Sequence, residues 1–259
     1  MAYPVQIGDW LVLLTAATAA GWVDAVVGGG GLIILPTLLL VSPGIAPQTA
    51  IGTNKCAAIA GTAASVITFA RKVPIRWRVM VPCAVIAAVT AGFGAAAVSL
   101  IDRDLFIPIV MVVLVGVAVF VTLRPSIGVT LITHEPSRRR FLLTVALSAG
   151  LIGCYDGILG PGTGTFLIIT FATLLGTEFV RAAAMAKVIN CGSNVGALVF
   201  FGATGHILWA LGAAMAVANI FGAVIGSRMA LRRGSGFVRG VLLVTVVVMV
   251  IRLGWQQFG

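Results

Sequence analysis

The chain has 259 residues, of which 60% are hydrophobic and 9% charged, with a formal net charge of +10 and a mean hydropathy of +1.14. Soluble domains carry about 25% charged residues, so the composition excludes an ordinary water-soluble protein and points to an all-α polytopic membrane protein. The basic residues sit in loops between apolar runs, the pattern of a cytoplasmic membrane face against anionic lipid rather than of a nucleic-acid binder.

The N-terminal stretch "MAYPVQIGDW" has no positive n-region, so a cleaved signal peptide is not expected. In the first half the sequence predicts five apolar segments, at 10–27, 31–42, 49–70, 78–101 and 105–123. The second of these has about a dozen residues, too few for an upright span of roughly 20. A polar stretch at 124–140, holding "EPSRRR", follows as a cytoplasmic linker. Five further segments are expected at 141–159, 164–175, 180–201, 207–228 and 237–254. The domains are therefore a first transmembrane repeat at 1–123, the linker at 124–140, and a second repeat at 141–259.

Sliding the chain by 132 residues superposes its rare residues. Asp24 falls on Asp156, Lys55 on Lys187 and Trp77 on Trp209, and two of the three lysines thereby coincide. Gly28 and Gly30 fall on Gly160 and Gly162. Equivalent loops carry opposite charge bias. Arg71, Lys72, Arg76 and Arg78 follow the third segment of the first half, whereas "GATGHIL" follows its counterpart. Conversely "IDRD" corresponds to the loop with Arg228, Arg232, Arg233 and Arg239. Under the positive-inside rule the repeats are inverted, with both termini on the outer side. Inverted repeats with short, glycine-interrupted segments at matching positions mark secondary transporters, whose sites lie near the midplane.

The glycine clusters are the expected breaks. Gly28, Gly29, Gly30 and Gly31 form the first, and Gly160, Gly162 and Gly164 with Thr163 form the second. Glycine permits positive φ and close backbone approach, and a helix starting at such a break aims free N–H groups at an anion. Close helix packing is the other use of glycine in membranes. Lys55 and Lys187 are intramembrane charges, which are costly and point to function, although a lysine near a helix end also snorkels to the interface. Asn54, Asn190, Ser193 and Asn194 supply amides and a hydroxyl nearby, for the substrate or for helix–helix hydrogen bonds. Asp24 and Asp156, each four residues before a glycine cluster, are read as pairing with lysine or backbone, with proton coupling as the second role. Trp77 and Trp209 are interfacial anchors. Cys56, Cys83, Cys154 and Cys191 read as packing residues, since there is no CxxC and no histidine at ligand spacing. His134 and His206 are isolated in loops, and neither a metal nor a cofactor is expected.

The stretches "AGWVDAVVGGGGLIILPTLL", "AIGTNKCAAIAGT", "GCYDGILGPGTGTFL" and "AAAMAKVINCGSN" resemble the TauE/SafE sulfite exporter family over roughly residues 10–254. The resemblance implies a transporter of the bacterial or archaeal cytoplasmic membrane. Members are linked to export of sulfite, sulfoacetate and related organosulfur anions, and some to import of sulfur compounds. The second glycine motif departs from the first, because Pro161 and Thr163 interrupt it, so the two binding halves need not be equal. The expected partners are a small sulfur-containing anion, the lipid bilayer, and a coupling proton or ion. No nucleotide-binding motif is visible, so an ion gradient or the membrane potential would supply the energy. A cation or metal carrier using Asp24 and Asp156, or a membrane assembly subunit that transports nothing, are the competing readings.

Overall fold

The computed structural model describes residues 7–42, 44–98 and 137–258. Among these the chain is all-helical: α1 (Ile7–Val27), α2 (Gly31–Val41), α3 (Pro47–Ala70), α4 (Trp77–Val98), α5 (Arg138–Ile158), α6 (Thr163–Leu174), α7 (Phe179–Ala203) and α8 (Trp209–Phe258). The expected segment at 105–123 and most of the linker lie outside the described residues. Among the described residues five stretches, Gly8–Val27, Trp77–Val98, Arg138–Ile158, Phe179–Ala203 and Trp209–Gly234, are long and apolar enough to cross a membrane. The chain is thus a multi-pass membrane protein. Helix α3 is long enough as well, but it is not among the five. It buries Thr53, Asn54, Lys55, Thr62 and Ser65 along its length, and those polar groups lower its hydropathy.

Helices α2 and α6 have 11 and 12 residues, about 17 Å each at 1.5 Å per residue. That is roughly half a hydrocarbon core. Each folds back along the helix before it. Trp10 and Leu13 near the start of α1 share an apolar cluster with Leu38 and Val41 near the end of α2. Phe141 and Val145 near the start of α5 likewise share one with Phe171 and Leu175 around the end of α6.

The starts of the helices keep one spacing: Gly31, Pro47 and Trp77 plus 132 give 163, 179 and 209, the first residues of α6, α7 and α8. Packing crosses between the halves. Helix α1 lies on α8 and α5 on α4, while α3 lies on α8 and α7 on α4. Small residues make these crossings close. A Cβ at Gly94 would stand 2.1 Å from Cys154 O, and one at Gly226 would stand 2.6 Å from Trp22 O. Position 94 plus 132 is 226, and 22 plus 132 is 154, so the two contacts match.

Helices α3 and α7 lie side by side in opposite directions. Phe69 late in α3 shares a core cluster with Phe179 at the start of α7. Ile51 early in α3 shares another with Phe201 late in α7. The first of these clusters also holds Met80, Phe141, Ala230 and Val238, with Val73, Ile75 and Leu231 packed against it. Arg76 stacks over Phe141 at 5.0 Å and Arg233 over Phe237 at 5.1 Å. The basic loop at 71–76, the start of α5 and Arg232 and Arg233 of α8 therefore gather at one end of the bundle. The last two expected segments, 207–228 and 237–254, are two helical arms of α8 that meet at a kink at Gly234 (φ 72°, ψ −166°).

Candidate functional site

The chain leaves helical geometry between Val27 and Gly31 and again between Ile158 and Thr163. Glycine is required at the first turn by its dihedral, since Gly28 has φ 82°, a region costly for any residue with a Cβ. At the second turn Gly162 caps α6 in the left-handed conformation with φ 81°. The two turns touch. A Cβ on Gly28 would stand 2.2 Å from Gly164 C, and Thr165 Oγ1 donates a hydrogen bond to Val27 O at 2.7 Å. Gly31 faces Pro161 and the Asn54 amide. The first residues of α2 and α6 are thereby brought to one place. Tyr155 braces the second turn by donating to Pro161 O.

Both lysines lie at this junction and both are buried. Lys55 Nζ is 2.7 Å from Asp156 Oδ1, with each side chain 2% exposed. Lys187 Nζ is 2.8 Å from Asp24 Oδ2, with side chains 0% and 15% exposed. The pairing is crossed: the lysine of each half meets the aspartate of the other. Removing two charges from water is expensive unless they compensate each other, and here each ammonium has a carboxylate.

The first pair is joined by Thr163, whose Oγ1 donates to Asp156 Oδ1 at 2.7 Å. A Cβ on Gly160 would crowd Lys55 Nζ at 3.0 Å. The second pair is held from more sides. Lys187 Nζ also donates to the Asp24 carbonyl. Gly30 N–H and Thr62 Oγ1 donate to the Asp24 carboxylate at 3.4 and 3.5 Å. Asn194 Nδ2 donates in turn to Thr62 Oγ1 at 3.5 Å.

Gly28 and Gly164, Gly31 and Asn54, and Gly160, Thr163, Lys55 and Asp156 therefore stand together, with Lys187 bound to Asp24 behind Gly30. Asn190 and Ser193 are buried on α7 beside Asn194, and Ser193 Oγ donates to the Asn190 carbonyl at 3.0 Å. Residues the sequence reading left out are Thr62, Tyr155 and Thr165. Thr62 had a signal, because 62 plus 132 is 194, the position of Asn194. Thr165 had none beyond its place after Gly164. The four cysteines are free thiols. Among the described residues no group of histidine, cysteine and carboxylate side chains is arranged to hold a metal ion.

With this geometry in hand, comparison with known proteins places the chain. A family model described as sulfite exporter TauE/SafE matches residues 13–253. A relative named "Probable membrane transporter protein ORF9", from Sinorhizobium sp, is 34% identical over 93% of this chain and 90% of its own length. "Probable membrane transporter protein YfcA" of Escherichia coli (strain K12) is 32% identical over 100% of this chain and 93% of its own. A "Probable membrane transporter protein" of Haemophilus influenzae is 30% identical over 95% of the chain. No solved structure matches.

Proposed function

The chain belongs to the TauE/SafE sulfite exporter family and is a membrane transporter rather than an enzyme, and on that premise we propose that it carries a small sulfur-containing anion, such as sulfite or a short sulfonate, by alternating access. The observation that carries the reading is the meeting of the two glycine turns. They bring the N-terminal ends of α2 and α6 together beside two buried lysines. Helix N-termini present donors and positive potential to an anion, and in discontinuous transporter helices these ends point at anionic substrate groups.

In this reading residues 1–123 and 141–259 are inverted repeats joined by a linker at 124–140. The antiparallel α3 and α7, the constant spacing of helix starts and the matched crossings support it. The arginine-rich end faces the cytoplasm under the positive-inside rule, the protein sits in the inner membrane, and both termini lie outside. Backbone N–H groups of Gly29, Gly31, Gly162 and Gly164 hold the anion's oxygens. Lys55 and Lys187 set the electrostatic sign, and Asn54, Asn190, Ser193 and Asn194 complete the polar shell. A cation carrier would need free carboxylates at the same place, whereas Asp24 and Asp156 each face an ammonium, which favours the anion.

Flux of 35S-labelled sulfite and sulfoacetate into proteoliposomes tests the proposal. Saturable flux is expected, and its loss in the charge-neutral variant Lys55→Met/Asp156→Asn. Flux no greater than in empty liposomes, or flux untouched by that variant, would contradict it.

A further inference from the structure

The two lysine–aspartate pairs occupy matching positions, yet their surroundings differ. Both carboxylate oxygens of Asp24 are used: Gly30 N–H donates to Oδ1, while Lys187 and Thr62 donate to Oδ2. At Asp156 both donors, Lys55 and Thr163, converge on Oδ1. Oδ2 is buried and has no hydrogen-bond partner. Asn54 Oδ1, on the residue before Lys55, is a second buried acceptor without a donor. Asp156 is 1% exposed and Asn54 2%. Buried polar atoms without partners are rare in folded proteins, and each calls for an explanation.

A missing donor is a proton, a proton-bearing ligand or a metal ion. A metal ion on Asp156 would lie beside the Lys55 ammonium, which already sits 2.7 Å from the same carboxylate, and like charges at such a range repel strongly. A proton needs no added space and removes the charge that holds Lys55.

We propose that Asp156 Oδ2 receives the coupling proton of transport and that its protonation releases Lys55 to the anion, while Asp24 remains the fixed partner of Lys187. This rests on the anion-transport reading above. The balance is simple: a proton adds to the carboxylate, no other bond changes, and the anion takes the place of the carboxylate as partner of the ammonium. Proton and monoanion then travel in the same direction with no net charge moved, so the sum of their two gradients sets the direction. On proton loss Asp156 pairs again with Lys55 and expels the anion.

Few other charges face this carboxylate. Helices α4, α6 and α7 pack on α5. Helix α6 has no charged residue. Helix α7 brings Lys187, already held by Asp24, and Arg181 in its first turn, with Cys191 as its one thiol. Helix α4 brings Cys83 and, in its first turn, Arg78. Arg78 lies about four turns from Gly94, which packs on Cys154 and Ile158 of α5. On α5 itself the Tyr155 hydroxyl is engaged by Pro161 O. Lys55 is the cation paired with Asp156, so a proton there acts on Lys55 first.

Two readouts in lipid nanodiscs and proteoliposomes decide the matter. In a pH titration followed by infrared difference spectroscopy, a protonated-carboxyl band is expected in the wild type. It should vanish in Asp156→Asn, persist in Asp24→Asn and shift in Asp156→Glu, which keeps the proposal testable where the amide variant does not fold. In the second, methanesulfonate, whose charge is fixed across the physiological pH range, is moved while a trapped dye reports protons. Protons are expected to accompany the anion in the wild type and not in Asp156→Asn. A band that survives Asp156→Asn, or sulfonate flux with no proton movement or with a requirement for sodium instead, would overturn the proposal. A band that follows Asp156 in a protein that moves no sulfur anion would leave the proton site standing and remove the anion reading.

Discussion

Asp24 and Asp156 sit 132 residues apart at equivalent places, each four residues before a glycine turn. Each is paired with a lysine from the opposite half. Asp24 is partly exposed and receives donors from three residues, whereas Asp156 is sealed and receives two on one oxygen. The source of the difference is visible in the chain. Gly31 in the first motif corresponds to Thr163 in the second, and it is the Thr163 hydroxyl that joins Lys55 on Asp156 Oδ1. Two centres with matching packing can therefore differ in how their carboxylates are held.

The largest expected effect separates the two pairs. Lys55→Met leaves the buried Asp156 carboxylate with Thr163 alone, and breaking a buried pair from one side costs about 3–5 kcal/mol. Lys187→Met should cost less, about 1.5–3 kcal/mol, the range for losing a charged hydrogen bond, because Asp24 keeps Thr62 and Gly30 N–H and some exposure. Thermal unfolding in detergent, followed by size-exclusion chromatography, ranks them. The double variant Lys55→Met/Asp156→Asn should recover most of the loss of Lys55→Met. Equal losses for the two single variants would erase the distinction between the pairs.

A smaller effect should be shared. Gly94→Ala and Gly226→Ala each push a methyl group into the backbone of the facing helix. Overpacking of this kind costs about 1–3 kcal/mol, and the same unfolding assay should place the two within about 1 kcal/mol of each other. A tolerated change at one position beside a severe one at the other would break the equivalence of the crossings.

Much of the fold was legible because membrane helices announce themselves by length and apolarity, and because lysine, aspartate and tryptophan are scarce enough to reveal an offset. The short α2 and α6 begin within a residue of the positions read from the chain. Helix α8 shows what apolarity alone misjudges. The arginines at 228, 232 and 233 look like a loop, yet helix runs through them, and the break between the two expected segments falls at the Gly234 kink. The residues gathered around the turns were legible as a set. Their partners were not, because 101 residues separate Lys55 from Asp156 and 163 separate Asp24 from Lys187, and no local pattern says which carboxylate meets which ammonium. Thr165 was invisible for the same reason: its bond to Val27 exists only once the two turns touch.

The contact between those turns is tested most directly by 35S-sulfite counterflow in proteoliposomes holding Gly28→Ala or Gly205→Ala. Both glycines have positive φ, 82° and 75°, so the added Cβ strains each backbone alike. At Gly28 it also meets Gly164 at 2.2 Å, whereas around Gly205 nothing lies within 4 Å. Loss of counterflow in Gly28→Ala, with most of it kept in Gly205→Ala, is the expected result. Equal counterflow in the two variants would contradict an anion site built where the turns meet.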